Sequence, residues 1–434
     1  MSLKEKCPIL HFADLGDERG KLVVIEGAQA IPFEIKRVFY IYGSDPTVVR
    51  GQHANRESEF VLINVAGTSK VRITDGTEEI TVELNKPMMG VYIPRMIWKD
   101  MYDFSSDSVL LVLASTHYDG KEYIRDYDDY IREVSRPRPL VSLCIPTNGV
   151  PEWVFPVLDS IYKQGADNSL FEVVVTDNGN NEEFKTKIRE YAKGHDNLVY
   201  AETKAQLFLN EIESYKRARG KLLKFVNHRT LLLDGALERF IEFEKANEAE
   251  KPIVYFSNGM IEELDKKVYT YDSFDGFVDG LSYWSSWSTG MTIWKSDLER
   301  LPEDVKDFNE LFPHTTALFG ERTRGKYIID NTVIFDEMPS GKKPKGSYDL
   351  FHAFGVEYPG IISSLYRDGD ISAKTCKSVL DRDLDFVASL YYNYVIKKEY
   401  CSYSLDGFDD MCGVYFTKSD IRKKLRRKVL KRFR

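Results

Sequence analysis

The chain lacks any run approaching the roughly eighteen apolar residues that a bilayer-crossing helix requires, so no segment is expected to span a membrane. Its opening residues, Met1 to Cys7, carry Lys4 and Lys6 but neither an apolar core nor a small-residue cleavage site. That pattern is not a secretory signal, and the cytoplasm is the expected compartment. Five cysteines (Cys7, Cys144, Cys376, Cys401, Cys412) form no Cys-x-x-Cys pair. An odd, scattered set fits neither a disulfide framework nor a zinc site and reads as reduced, small apolar residues. Long internal repeats and low-complexity tracts are also missing, which excludes solenoids and disordered arrays.

What is present is a 434-residue chain, too long for one compact core, so two or three domains are expected. The net charge of -8 hides an asymmetry, because the stretch from Lys418 to Arg434 is densely basic and the remainder acidic. From Lys21 to about Ser115 short β-rich runs recur between turn signals: LVVIEGAQ, RVFYIYGS, EFVLINVAG, SKVRITDG, EEITVEL, MGVYIPR and SVLLVLAS. Such spacing predicts an all-β barrel or sandwich, with Asp75-Gly76 as a two-residue hairpin turn. A helix is predicted over Glu122 to Val134, followed by the stiff connector Ser135-Arg136-Pro137-Arg138-Pro139. After it, LVSLCIP and FEVVVTDNG are buried-strand runs separated by the helical VPEWVFPVLDSIYKQ, the mark of a parallel α/β sheet. The expected division is therefore an all-β domain over 1–135, an α/β domain over 139–345, and a helical C-terminal extension over 346–434.

The motif Arg50-Gly51-Gln52-His53-Ala54-Asn55, with RVFYIYG before it and VYIPRMIWKDMYDF and YDGKEYIRDYDDYI after it, resembles the cupin family of nucleotide-sugar 3,4-ketoisomerases. The resemblance covers nearly all of residues 8–133 and implies a jelly-roll barrel that moves a ketone between adjacent carbons of a thymidine-diphosphate 6-deoxyhexose. It implies that His53 handles the migrating proton, where the family pairs two histidines; Asn55 stands in the place of the second. Imidazole suits the task because its pKa lies near neutrality, and an amide has no such titration. Either His53 works alone, with Tyr40 or Tyr42 as the acid, or the barrel is kept to bind nucleotide sugar or dock a partner. Arg50, Trp98 and Lys99 are candidate substrate contacts; for Lys99 the alternative is a solvated lysine at a strand end. Nothing in VYIPRMIWKDMYDF supplies a third histidine, so no metal cofactor is expected in the cupin. By analogy the cupin pairs as a homodimer.

Residues from Leu140 to about Val333 resemble family 2 glycosyltransferases, inverting enzymes of GT-A fold with one Rossmann-like domain. LVSLCIPTNG matches the family's first strand and turn, VLDSIYKQ its first helix, and FEVVVTDNGNN the strand ending in a nucleotide-gripping aspartate. Ligands of open α/β sheets sit beyond the carboxyl ends of strands, where Thr147, Asp177 and Asn178 fall. The alternative is that Asp177 only caps a βα turn. The family's Asp-rich triplet, which holds a divalent Mn or Mg ion against the diphosphate, is replaced here by Asn227-His228-Arg229. Three outcomes stand open: Asn227 and His228 make a weaker ion site, Arg229 neutralises the diphosphate directly, or transfer is lost. His314 in FPHTTALF is the candidate base, against a hydrogen-bonded core histidine; Trp287 and Trp284 are candidate sugar-stacking residues, against simple core packing.

In the basic tail, Ile421, Leu425, Val429 and Phe433 recur every fourth residue amid Lys and Arg, a pattern suited to an anionic membrane surface. The acidic body argues against nucleic acid, and a solvated end is the bland alternative. Together these features predict a cytoplasmic enzyme of bacterial surface-polysaccharide (O-antigen) assembly, peripheral on the inner face of the membrane. Its expected partners are nucleotide-diphosphate sugars and a glycan or lipid-linked acceptor. A non-enzymatic scaffold with both sites degenerate is the third reading.

Overall fold

The chain, seen in a computed structural model, divides into two compact units, Met1–Pro137 and Arg138–Arg434. The structure describes all residues except 1, 136, 263, 299, 303, 340–347 and 433–434, and the backbone alone of 427–432.

In the first unit a short helix, α1 (Leu3–Lys6), precedes ten strands: β1 (Ile9–His11), β2 (Arg37–Tyr42), β3 (Arg50–Asn55), β4 (Phe60–Ala66), β5 (Ser69–Thr74), β6 (Glu79–Leu84), β7 (Met89–Ile93), β8 (Trp98–Tyr102), β9 (Val109–Ala114) and β10 (Tyr123–Ile124). They form two antiparallel five-stranded sheets, ordered β1-β7-β4-β9-β2 and β10-β3-β8-β5-β6. Inward residues of both sheets, among them Phe60, Leu62, Val71, Ile73 and Val112, make one buried core. Fully burying each such side chain is worth about 1.5–3 kcal/mol. This is the β-rich, cupin-like fold expected of the N-terminal third.

Three local expectations need correction. Leu22–Gln29 is not a strand; Val23, Ile25, Ile31 and Phe33 instead lie over the outer face of β4 and β9, against Val61, Ile63 and Leu113. A sheet buried on both faces needs such a cover, and its apolar residues read locally like a strand. The hairpin between β5 and β6 has the four-residue loop Asp75–Glu78: Asp75 Oδ1 accepts from the N–H groups of Thr77 and Glu78, and Gly76 takes φ +89°. The predicted helix begins only at α2 (Tyr127–Val134), because Asp126 caps it through Asp129 N–H while Tyr123 and Ile124 pair with Asn55 and Ala54.

The second unit is mixed α/β. Strands β11 (Val141–Thr147), β12 (Phe171–Asp177), β13 (Leu198–Glu202) and β14 (Leu222–Phe225) run parallel in the order β13-β12-β11-β14, and antiparallel Thr292–Trp294 closes the edge. Helices α3 (Pro151–Tyr162) and α4 (Glu182–Lys193) come after β11 and β12 and pack on Leu143, Ile145, Val173 and Val175. The opposite face, with Cys144 and Val174, packs on α5 (Leu209–Arg217) and on helices from beyond residue 349. Covering both faces explains the unbroken apolar runs in the sequence.

The expected start of a separate extension, residue 346, lies outside the described residues. The C-terminal helices beyond it share the core of the α/β unit: Phe351, Tyr358, Val379, Val387 and Ile421 join the cluster that holds Tyr255 and Ile329. The terminal helix Lys418–Arg432 packs along the helix Ala373–Leu390. Ile421 is buried there, Leu425 is packed against the same cluster, and Lys424 Nζ lies 2.8 Å from both Asp381 and Asp385 carboxylates. That half of the predicted membrane-facing stripe is therefore an internal contact. Val429's side chain and Phe433 lie outside the described residues.

Candidate functional site

In the barrel the site is built where β3 pairs with β8. Alternation along paired strands puts His53 opposite Lys99 on the inner face and Ala54 and Trp98 on the outer one. A bulge between Gly51 and His53 aims the imidazole, with Gly51 at φ +85°. A Cβ on Gly51 would stand 2.6 Å from the Lys99 carbonyl oxygen, so this close approach requires glycine.

His53 Nδ1 lies 2.7 Å from the Gly51 carbonyl oxygen, which can only accept; Nδ1 therefore carries the proton and Nε2 the lone pair. Its ring leans on Tyr123, centroids 4.8 Å apart. Burial first, then the charge of Lys99, lower its pKa to about 4, so the imidazole is neutral and basic at neutral pH. Lys99 is 4% exposed and Asn55 1%; Lys99 Nζ donates to Asn55 Oδ1 at 2.6 Å and sits 4.5 Å from the centre of the Phe60 ring. Burial brings the lysine down to about 7, opposed by the Glu122 carboxylate and assisted by the Arg37 guanidinium. Glu122 is itself held by the N–H groups of Ser58 (2.7 Å) and Glu57 (3.0 Å) and by the Ser58 hydroxyl. Among the described residues of the barrel, Asn55 Nδ2, Arg37 Nε and Arg37 Nη2 are buried without an acceptor.

In the second unit Thr147 and Asp177 are register partners at the carboxyl ends of β11 and β12, and Asn178 N–H continues the pairing onto Thr147 O. Asp177 is 1% exposed, its oxygens accepting from Gly179 N–H (2.8 Å) and Tyr200 O–H (3.1 Å); burial raises its pKa. Beside it, an open groove of about 540 Å³ is lined by Val150, Pro151, Asn181, Glu183 and Lys187 at the starts of α3 and α4. Thr147 Oγ1 lies 2.9 Å from His228 Nδ1, and burial holds His228 down at about 4. The Arg229 guanidinium lies over the Trp153 ring and donates to Met338 O at 3.2 Å; Asn178 Nδ2 donates to Ala205 O.

The proposed ion ligands do not fit their role. Asn227 Oδ1 is taken by Arg229 N–H in a turn, His228 Nδ1 faces Thr147, and among the described residues no three His, Cys, Asp or Glu side chains gather as metal ligands. His314 does not stand as a free base either. It is buried, Nε2 lies 2.9 Å from the Ser286 carbonyl and Nδ1 3.3 Å from Glu211 Oε2, so both nitrogens face acceptors inside the core. Trp287 is packed among Tyr283, Trp284, Phe354 and Phe386, with centroids 5.0 to 6.0 Å away.

The barrel's match to known proteins is direct. The family described as FdtA: WxcM-like, C-terminal, matches residues 5–135. The TDP-4-oxo-6-deoxy-alpha-D-glucose-3,4-oxoisomerase of Aneurinibacillus thermoaerophilus is 40% identical over 128 residues, 30% of this chain and 92% of that protein. Through its first unit, the chain belongs to this family. Among solved structures, a 3,4-ketoisomerase from Helicobacter canadensis is 44% identical, covering 30% of this chain and 96% of that one, with a TM-score of 0.29. A histidine-to-asparagine variant of the 3,4-ketoisomerase QdtA from Thermoanaerobacterium thermosaccharolyticum, in complex with TDP-4-keto-6-deoxyglucose, is 43% identical, covering 30% and 94%, also at 0.29.

Within the WxcM-like unit, the site residues picked from sequence part company. His53, Asn55 and Lys99 meet on the inner face. Tyr40 and Tyr42 do not join them: they are 62% and 68% exposed, on the side of β2 opposite Arg37 and Ile41. Neither is placed to act as the acid. Trp98 packs with Tyr127 and Tyr130 on the outer face and donates to Asp100. Arg50 is exposed at the start of β3, its Nε donating to Ser44. The residues missed were Arg37, Glu122 and Tyr123. Period-two alternation from inward Ile41 would have found Arg37; Glu122 and Tyr123 were hidden by the helix predicted across them.

Proposed function

We propose that the WxcM-like unit is a TDP-4-keto-6-deoxyhexose 3,4-ketoisomerase and that the α/β unit transfers a sugar from a nucleotide diphosphate onto a glycan or lipid-linked acceptor. The isomerase reading is carried by His53: neutral, fixed in the tautomer that leaves Nε2 open, and set beside a buried cation in the barrel. Nε2 takes the proton from the carbinol carbon, and the resulting enediolate oxygen faces positive charge rather than bulk water. The relatives' substrate, a TDP-linked 4-keto-6-deoxyglucose, is the one to test first.

The transferase reading is supported by a parallel sheet whose carboxyl ends carry Thr147, Asp177 and His228, with a groove alongside. Because the ion ligands do not fit, Arg229 is assigned to the diphosphate. Trp287 remains the candidate for the sugar's apolar face. The exposed edge strand β2, with Val38, Tyr40 and Tyr42 uncovered, is the face assigned to cupin pairing.

The decisive experiment incubates the full chain with TDP-4-keto-6-deoxyglucose in D2O and follows deuterium at the ring carbons. Exchange is expected, falling roughly 10²- to 10⁴-fold in His53→Asn; an intact chain that catalyses none sinks the isomerase reading. For the second unit, donor hydrolysis is expected to be the same with manganese or with chelator. Unchanged nucleotide affinity in Asp177→Ala would remove the donor from this sheet edge.

A further inference from the structure

The family's second histidine is absent, and the barrel holds in its place an amide bound to an amine. We propose that Lys99, positioned by Asn55, is the second proton carrier of the isomerisation, and that Arg37 and the Asn55 amide hold the oxygen on which charge develops. This rests on the isomerase reading above.

Three observations carry it. Lys99 is buried on the inner face directly across from His53, and among the described residues no carboxylate lies within ion-pair distance of it. Its hydrogen-bond partner is Asn55 Oδ1. That bond orients the amide: with Oδ1 taken by the lysine, Nδ2 is turned elsewhere and has no acceptor. Arg37 also presents buried Nε and Nη2 without an acceptor, while its guanidinium lies 5.4 Å from the Phe39 ring and 5.5 Å from the Tyr118 ring. Buried donors left open cost stability unless something fills them, and what fills them must bring acceptor oxygens. A ketone, enediolate or hydroxyl on a sugar ring does so.

The proton balance closes without a further reactant. His53 Nε2 removes the carbinol C–H proton; that electron pair forms the ring C=C bond, and the carbonyl π pair moves onto its oxygen, which takes a proton from the Lys99 ammonium. In the second half the neutral Lys99 amine takes the proton of the other hydroxyl. Its O–H pair becomes the new C=O bond, and the C=C pair takes the proton back from His53. Both side chains end as they began. Groups facing Lys99 are Glu122, Arg37 and His53; burial, opposed by Glu122 and assisted by Arg37, leaves an amine able to give and regain a proton near neutral pH. Asn55 is thus a positioning residue, and Lys99 supplies the titration that an amide lacks.

The test compares full-length wild type, Lys99→Met, Lys99→Arg and the double variant Lys99→Met/Asn55→His, with TDP affinity measured beside deuterium exchange across pH 4–10. Wild type is expected to show exchange rising on the acid side with His53 and falling on the alkaline side with Lys99. Lys99→Met should bind TDP normally and lose exchange roughly 10²- to 10⁴-fold. Lys99→Arg keeps the charge but cannot shuttle a proton, and should likewise be inactive. The double variant should recover at least about tenfold, since imidazole then titrates at the second position. Exchange in Lys99→Arg within threefold of wild type overturns the proposal, making Lys99 a fixed charge, and does so even if the Met variant fails to fold. Exchange retained by Lys99→Met overturns it while leaving the isomerase reading intact; a wild type that binds TDP but never exchanges overturns both.

Discussion

Each unit of this chain buries a lysine on a central strand, and the two sites are finished differently. Lys224, in β14, donates to the carbonyls of Thr289 at 2.5 Å and Met291 at 3.3 Å and lies within 5.8 Å of the centres of the Phe240, Phe256 and Phe335 rings. Burial holds its pKa well below the ordinary lysine range. Lys99 is buried as deeply and shifted in the same direction, yet its neighbours Asn55 and Arg37 keep open donors. Burial and a displaced pKa are thus common to a structural lysine and to the one proposed to carry a proton. What separates them is whether the surrounding polar atoms are already satisfied.

That contrast can be attacked through two buried cysteines, Cys7 in the first unit and Cys144 in the second, whose labelling against urea reports the unfolding of each unit separately. The largest effect is expected from Lys224→Ala, which opens a cavity and strands two carbonyls: about 2–5 kcal/mol lost at Cys144, with Cys7 unmoved. A loss below about 1 kcal/mol would mean that Lys224 is not the closed structural group described. Gly51→Ala should cost roughly 1–3 kcal/mol at Cys7, from the positive φ and the approach to the Lys99 carbonyl, and should depress deuterium exchange through His53. Full stability with full exchange would show that the bulge does not aim the imidazole.

The third effect is a pH slope. Lys99 is lowered to about 7, so between there and the ordinary lysine value near 10.4 the unfolded chain binds a proton that the folded chain has released. Stability of the first unit must therefore rise with pH through that window, by at most about 1.4 kcal/mol per pH unit. Lys99→Met should lack this increment; equal slopes between pH 7 and 9 would show the lysine to be ordinary.

The barrel was legible because β4 and β9 carry apolar residues on both faces of their sheet, and because the motif around His53 stands almost unbroken. The site was less so. Tyr40 and Tyr42 attracted attention as aromatic acids, but their parity with exposed Val38 turns them outward, while Arg37, on the other side of the same strand, was not singled out. Trp98 and Lys99 were taken together as neighbours in sequence, although successive strand residues face opposite ways. Asn55 read as a loss, since its partner is supplied by a strand forty-four residues away. In the second unit a parallel α/β sheet could be read from buried runs alternating with helices, but nothing local reveals that His314 is enclosed by Glu211 and Ser286. The C-terminal helices read as an appendage because their buried stripes give no clue to which core receives them.

The docking of the last helix through Ile421 and Lys424 has a further consequence. With its greasy stripe turned inward over that stretch, the exposed Arg422 and Lys423 offer an acidic bilayer only charge, with no wedge to insert. Adhesion of that kind is a loose counter-ion film: it would track the fraction of anionic lipid, and a few hundred millimolar salt, which shrinks the Debye length to several ångströms, would wash it away.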